Sequence, residues 1–143
     1  MTSISPSRPY HRTEIDREFL KRKQLMQAEA LEHGNGLALY QDCYTGLILR
    51  RGERYDYEHI ISSEEVFMTC RATHTNEEIA LIVNVPENVS TTMRTINQAK
   101  GKKCLLQWMT DSEISAHGIN KSLALKNHAK AKRAIEQKAK ALL

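Results

Sequence analysis

The sequence predicts an α+β fold in one domain, on three observations. Apolar residues recur at helical spacing near the start of the chain and again over its final segment. Between these segments lie short apolar runs bounded by Asp, Asn and Gly, the pattern of strands and turns. Two Ser/Thr positions followed by paired acidic residues mark further helix starts in the middle. A chain of 143 residues fits a single domain. At that size roughly 68–70% of the unfolded chain's surface is buried on folding, so no disulfide or metal staple is required. With 41% hydrophobic and 27% charged residues, the composition is that of an ordinary globular protein.

Residues 1–11 place Pro6 and Pro9 among serines and threonines and read as a flexible arm. Thr13 reads as an N-cap, with Glu14 and Asp16 in the first turn, where the helix dipole favours negative charge. Ile15, Phe19, Met26 and Ala30, widened by Leu20 and Leu31, extend an N-terminal helix over 12–34 that stops at Gly34-Asn35-Gly36. Leu37-Ala38-Leu39-Tyr40 and Leu47-Ile48-Leu49 flank Asp42-Cys43-Tyr44-Thr45-Gly46, a β-hairpin pattern. The polar Arg50-Arg51-Gly52-Glu53-Arg54 leads into an extended Tyr55-Asp56-Tyr57-Glu58-His59-Ile60-Ile61. Ser62-Ser63-Glu64-Glu65 resembles a helix start. Another follows at Thr75 or Asn76, with Ile79, Ile82 and Val83 on one face and Pro86 as its end. A helix over Thr91–Lys100 closes at Gly101 in the C′ role. A long helix runs from near Asn120 to the end, with Ala131, Ile135, Ala139 and Leu142 on one stripe and lysines over the rest, so that 111–143 forms a basic extension.

The charge is distributed unevenly. From Arg94 to the end, eleven Lys or Arg face Asp111, Glu113 and Glu136, a net +8, whereas the first 93 residues carry ten basic and fourteen acidic groups, a net −4. A cationic element on a mildly acidic body suits a polyanion, since Lys and Arg that neutralise phosphates release condensed counterions. Cations late in a helix also complement its dipole, so part of the pattern has a purely structural reading. No apolar run reaches the ~20 residues that span a bilayer, and the start, Met1 to Arg12, has no apolar h-region of a signal peptide. Three cysteines, Cys43, Cys70 and Cys104, with no CxxC pair, argue against a disulfide scaffold and a zinc ribbon and for a reducing cytoplasm.

Three features fall in sequence: Asp56-Tyr57-Glu58-His59-Ile60, then Asn88, then Asn97 followed by Lys100-Gly101-Lys102-Lys103. Each alone is weak, because a lone His is usually a satisfied histidine and an Asn before a helix usually a cap. Asn97 inside a helix is the less ordinary member, since Asn prefers caps and turns. Together they resemble the HNH, or ββα-metal, endonucleases, and in particular the HNH domains of phage proteins and RNA-guided CRISPR nucleases. The resemblance covers residues 37–103 and implies a β-hairpin plus a metal-bearing helix as the core.

That resemblance implies a divalent-metal-dependent DNA endonuclease. His59 would be the general base, because a neutral imidazole can take a proton from the attacking water. One Mg²⁺ or Mn²⁺, with no structural zinc, would rest on Glu58 and Asn97, since hard cations take oxygen ligands. Asn88 would brace the loop that presents His59, and Arg94, Lys100, Lys102 and Lys103 would hold the backbone of double-stranded DNA. A homodimer or a partner protein is a further expectation, and phage, mobile-element or defence roles suit such an enzyme. Glu58 departs from the usual Asp, and Asp56, two residues back on the same face of an extended segment, is a reserve carboxylate. The stretch between His59 and Asn88 is long and is assigned to an inserted helix around Glu77–Val83. The alternative function is a non-catalytic HNH-like DNA-binding or adaptor module. A cysteine hydrolase lacks a nucleophile motif, and Lys100-Gly101-Lys102 fails as a P-loop, because Ile96 stands where Walker A needs Gly.

Overall fold

Helix α1 (Thr13–His33) opens a computed structural model that describes residues 4–34, 40–49, 54–101, 103–110 and 117–143. Thr13 is the first helical residue rather than the cap; Arg12 precedes it and makes an ion pair of 3.0 Å with Asp16. The helix closes at Gly34, whose N–H donates to Ala30 O; Asn35 and Gly36 of the expected breaker lie outside the described residues, as do Leu37–Leu39 and Arg50–Glu53. Ahead of α1, Arg8 donates to Asn76 Oδ1 at 2.8 Å and to the carbonyls of Arg71 and His74, tying that stretch to the turn between two later helices.

Strands β1 (Tyr40–Gln41) and β2 (Ile48–Leu49) form a short antiparallel hairpin. Its turn is built by Asp42, which is fully buried. Oδ1 accepts from the N–H of Tyr44 and Thr45, while Oδ2 accepts from the Thr92 hydroxyl and the Met93 N–H, both at 3.0 Å. Gly46 has φ 78°, a left-handed conformation in which a side chain would be strained.

Strand β3 (Tyr55–His59) pairs not with this hairpin but with β4 (Val89–Met93), antiparallel from Tyr55↔Met93 to His59↔Val89. Between them lie α2 (Ser63–Cys70), α3 (Asn76–Val83) and a 3₁₀ turn at Pro86–Asn88. Ser62 caps α2, and Thr75 caps α3 in a reciprocal capping box with Glu78. The expected helix over Thr91–Lys100 is therefore divided: Thr91–Met93 belong to β4, and α4 (Arg94–Lys100) starts directly after it. The β-branched Val89, Thr91 and Thr92 favour the strand and β3 supplies its ladder. A short α5 (Leu105–Trp108) follows, and α6 (Lys121–Ala141) is capped by Asn120, whose side chain accepts from the Leu123 N–H.

Helix α6 joins two cores. Ala131 and Ile135 pack with Ile15, Phe67, Ile79, Ile82 and Val83 of α1–α3, whereas Ala124 packs with Tyr44, Ile96, Leu105 and Trp108. Helix α4 contributes Ile96 to the second of these clusters, and Tyr55, Tyr57 and Met93 of the β3–β4 ribbon pack against a third, formed by Ala30, Tyr40 and Leu49. The fold is thus mixed helix and strand, with the motif residues on β3, the 3₁₀ turn and α4, and with α2 and α3 inserted between the two paired strands. No described helix is long and apolar enough to cross a membrane.

Candidate functional site

Alternation along β3 sorts the motif residues onto two faces. Asp56 and Glu58, opposite Thr92 and Ser90, share one face; Tyr55, Tyr57 and His59 share the other. Adjacent Glu58 and His59 therefore point to opposite sides of the ribbon.

His59 ends β3. Its Nε2 lies 2.8 Å from Asn84 Oδ1, and its ring packs on Phe19 with centroids 4.2 Å apart. The Asn84 amide nitrogen donates to Ile15 O at 3.1 Å and Ala80 O at 2.9 Å, which fixes Oδ1 as the acceptor. Nε2 must then carry the proton, leaving Nδ1 as the basic atom, with no hydrogen-bond partner among the described residues. Burial lowers the imidazole pKa to about 4, only partly offset by the Asn84 hydrogen bond, so His59 is neutral at cellular pH. Asn84 escaped the sequence reading because an Asn at a helix C-cap is commonplace.

Asn88 is fully buried behind the turn that follows His59. Its Oδ1 accepts from the Ile61 N–H at 2.7 Å, and its Nδ2 donates to Ile61 O at 3.1 Å and Val83 O at 2.9 Å. One amide thus joins the chain leaving β3 to the end of α3.

On the other face, Glu58 is buried at 6% exposure. It accepts a hydrogen bond from the Tyr44 hydroxyl, lies 3.9 Å from Cys43 Sγ, and faces Lys100 Nζ at 4.0 Å. Burial pushes its pKa up, against the pull of the Lys100 ammonium and the Tyr44 hydroxyl. The same burial, with Glu58 beside them, raises the Tyr44 and Cys43 pKa values, so both stay protonated. Lys100, expected on a phosphate, is 3% exposed and instead neutralises this carboxylate. Lys100→Met is expected to cost about 3–5 kcal/mol at neutral pH, as buried pairs do when one partner is removed, read as a lower urea midpoint. The loss should shrink in acid: a raised folded-state pKa means that Glu58 destabilises the fold as pH climbs through it and is harmless once protonated. Adding Glu58→Gln should recover most of the loss.

Asn97 does not pair with Glu58. Its Nδ2 donates to Asp56 Oδ2 at 3.0 Å, and Arg94 Nε donates to Asp56 Oδ1 at 3.0 Å, so both α4 residues converge on the reserve carboxylate. Asn97 Oδ1 has no hydrogen-bond partner among the described residues. Lys103 is exposed, with its N–H on Lys100 O, and Lys102 lies outside the described residues.

In kind, this donor set fits a hard divalent cation. The Asp56 carboxylate and the Asn97 amide meet at the end of β3–β4–α4, with both Asp56 oxygens taken, by Arg94 and by the Asn97 amide nitrogen, and a second carboxylate, Glu58, lies two residues along the same face. Glu58 reaches a cation only by releasing Lys100. No three His, Cys, Asp or Glu side chains cluster as a metal site among the described residues, so oxygens of Asn97, water and phosphate would have to complete the shell. Compared with family models, curated proteins and solved structures, the chain matches none.

Proposed function

We propose that the chain is a divalent-metal-dependent DNA endonuclease of the HNH (ββα-metal) kind, with His59 as general base. The observation that most supports this reading is the state of His59: neutral, held through Nε2–H by Asn84, with Nδ1 left to take a proton. A base needs orientation as well as basicity, and Asn84 fixes the ring while Asn88 fixes the chain beyond it. Asp56 and Asn97 belong to the other face of the ribbon from His59 and to its opposite end, so a cation held there and His59 act on one phosphate only if the substrate wraps the free edge of β3. His59 Nδ1 takes the proton of the attacking water as its oxygen bonds to phosphorus, the bond from phosphorus to the 3′ oxygen breaks, and that oxygen takes a proton from solvent water to become the 3′-hydroxyl. A divalent cation, Mg²⁺ or Mn²⁺, would supply positive charge for the phosphate and the leaving oxygen when bound. Asp56 and Asn97 are the side chains that would hold it, once Asp56 gives up its bonds to Arg94 and to the Asn97 amide nitrogen, with Glu58 as a further ligand if Lys100 moves away.

Asp56→Ala is expected to lower cleavage at limiting Mn²⁺ by about tenfold to a hundredfold, the range for losing a group that tunes a metal site, with partial recovery as Mn²⁺ rises. Equal activity at every Mn²⁺ concentration would remove Asp56 from the site. The reading itself is tested with end-labelled duplex DNA. Mg²⁺ or Mn²⁺ should yield products with 5′-phosphate and 3′-hydroxyl ends, and EDTA should stop the reaction. No cleavage with any divalent metal would overturn it. A second reading, a non-catalytic HNH-like DNA-binding or adaptor module, draws on the Lys100 ammonium seated against Glu58, a positive charge supplied by the chain itself.

A further inference from the structure

One side of α6 carries a row of cations that the fold leaves unused. Lys126, Lys130, Arg133 and Lys140 stand at i, i+4, i+7 and i+14, all exposed, and Gln137 fills the i+11 position between them. At 3.6 residues per turn these positions form one continuous stripe, opposite the buried Ala124, Ala131 and Ile135. At ~1.5 Å per residue the stripe is about 21 Å long. Among the described residues none of the four cations has an ion-pair partner. Glu136, the single acid on the helix, lies off the stripe, where it lines the cleft holding His128 and Cys70. The helix dipole accounts for cations in the last turn, such as Lys140. It does not account for Lys126 and Lys130 in the first half of a helix that has no acid in its first turn.

The stripe also has a destination. Lys126 and Lys130 line a cleft of about 490 Å³ together with Gln41, Cys43 and Ser90, with Glu87 as its one carboxylate apart from the sequestered Asp42. Asn127, between the two lysines, donates to Cys43 O at 2.9 Å and pins the helix to the hairpin turn there. Ser90 lies directly opposite Glu58 in the ribbon, so the cleft opens beside the motif-bearing strands.

We propose that this face of α6 is a backbone-tracking surface for duplex DNA, leading phosphates along Lys140, Arg133, Lys130 and Lys126 to the cleft beside the β3–β4 ribbon. The proposal deepens the nuclease reading and rests on it for the identity of the polyanion. It is tested on the full chain by fluorescence anisotropy of a short labelled duplex over about 50–200 mM NaCl, comparing wild type with K126Q/K130Q/R133Q/K140Q. Glutamine preserves helix propensity, and thermal melting by circular dichroism checks the fold. The plot of log affinity against log salt should lose about 3–4 in slope, at roughly 0.9 per phosphate released, and affinity at low salt should fall on the order of 100-fold. Should the quadruple variant fail to fold, K126Q/K130Q and R133Q/K140Q should each remove about half of the slope change. An unchanged slope overturns the proposal. So does loss of binding to phosphatidylserine vesicles with duplex binding intact, which would make the stripe a lipid-facing surface. Wild-type cleavage with an unchanged variant slope defeats the stripe alone, and stripe-dependent binding with no cleavage under any metal defeats the nuclease reading alone.

Discussion

His59→Ala is expected to lower metal-dependent cleavage by about 10²–10⁴-fold, the usual worth of a general base, while duplex affinity is unchanged. The variant removes the Nδ1 proton acceptor and none of the exposed cations, so kcat should fall and binding should not. Added imidazole should restore part of the rate if the lost group is a base. The pH profile gives a sharper check. Because burial holds the His59 pKa near about 4, the imidazole is competent throughout the weakly acidic range, and the acid limb of kcat/KM should lie near that value rather than near 6.5. Stability should follow the same group with a definite sign. Between about 4 and 6.5 the unfolded chain takes up a proton that folded His59 refuses, so stability rises with pH across that window and is complete above it. The full amplitude is about 3 kcal/mol, at ~1.4 kcal/mol per pKa unit. His59→Ala should reduce this rise and leave the part that His128 contributes, since burial lowers its pKa too; an undiminished rise would assign it to other groups.

Asn88→Ala is expected to destabilise the chain by about 2–4 kcal/mol, because it leaves the Ile61 N–H, Ile61 O and Val83 O without their partners in a fully buried place. Asn88→Asp keeps an acceptor for the Ile61 N–H and loses both donors, so its cost should be comparable and should vary with pH. Urea midpoints at matched pH check both. Under folding conditions kcat should drop more than KM rises, since Asn88 positions the turn after His59 and touches no substrate in this account. A normal kcat in a folded Asn88→Ala would show that the turn's rigidity does not matter to the reaction.

What was legible in the sequence was local. The Thr75-Asn76-Glu77-Glu78 capping box, the Asn120 cap of α6 and the Asp42–Gly46 turn each declare themselves within five residues, and the structure has all three. Strand β4 was hidden, because Val89-Ser90-Thr91-Thr92-Met93 runs into α4 with no turn residue between and its partner strand lies 30 or more positions earlier. The two helix starts in the insertion, at Ser62-Ser63-Glu64-Glu65 and at Thr75, are legible and both helices form, whereas the 3₁₀ turn at Pro86–Asn88 carries no such signal. The pairing inside the site was illegible for the same reason. Lys100 sits in a Lys-Gly-Lys-Lys run that reads as solvated, yet Tyr44 and Glu58, brought from 56 and 42 positions away, bury it. Residue type indicated which side chains could carry chemistry; tertiary contacts decided that Asn97 meets Asp56 rather than Glu58.

The most direct measurement of the central claim is conversion of supercoiled plasmid by purified wild type and His59→Ala side by side, in Mg²⁺, Mn²⁺ and EDTA. The account predicts nicked or linear product with wild type in either metal, none in EDTA, and a loss of at least about a hundredfold in the variant. Cleavage by His59→Ala at the wild-type rate, or wild-type cleavage that persists in EDTA, would contradict it.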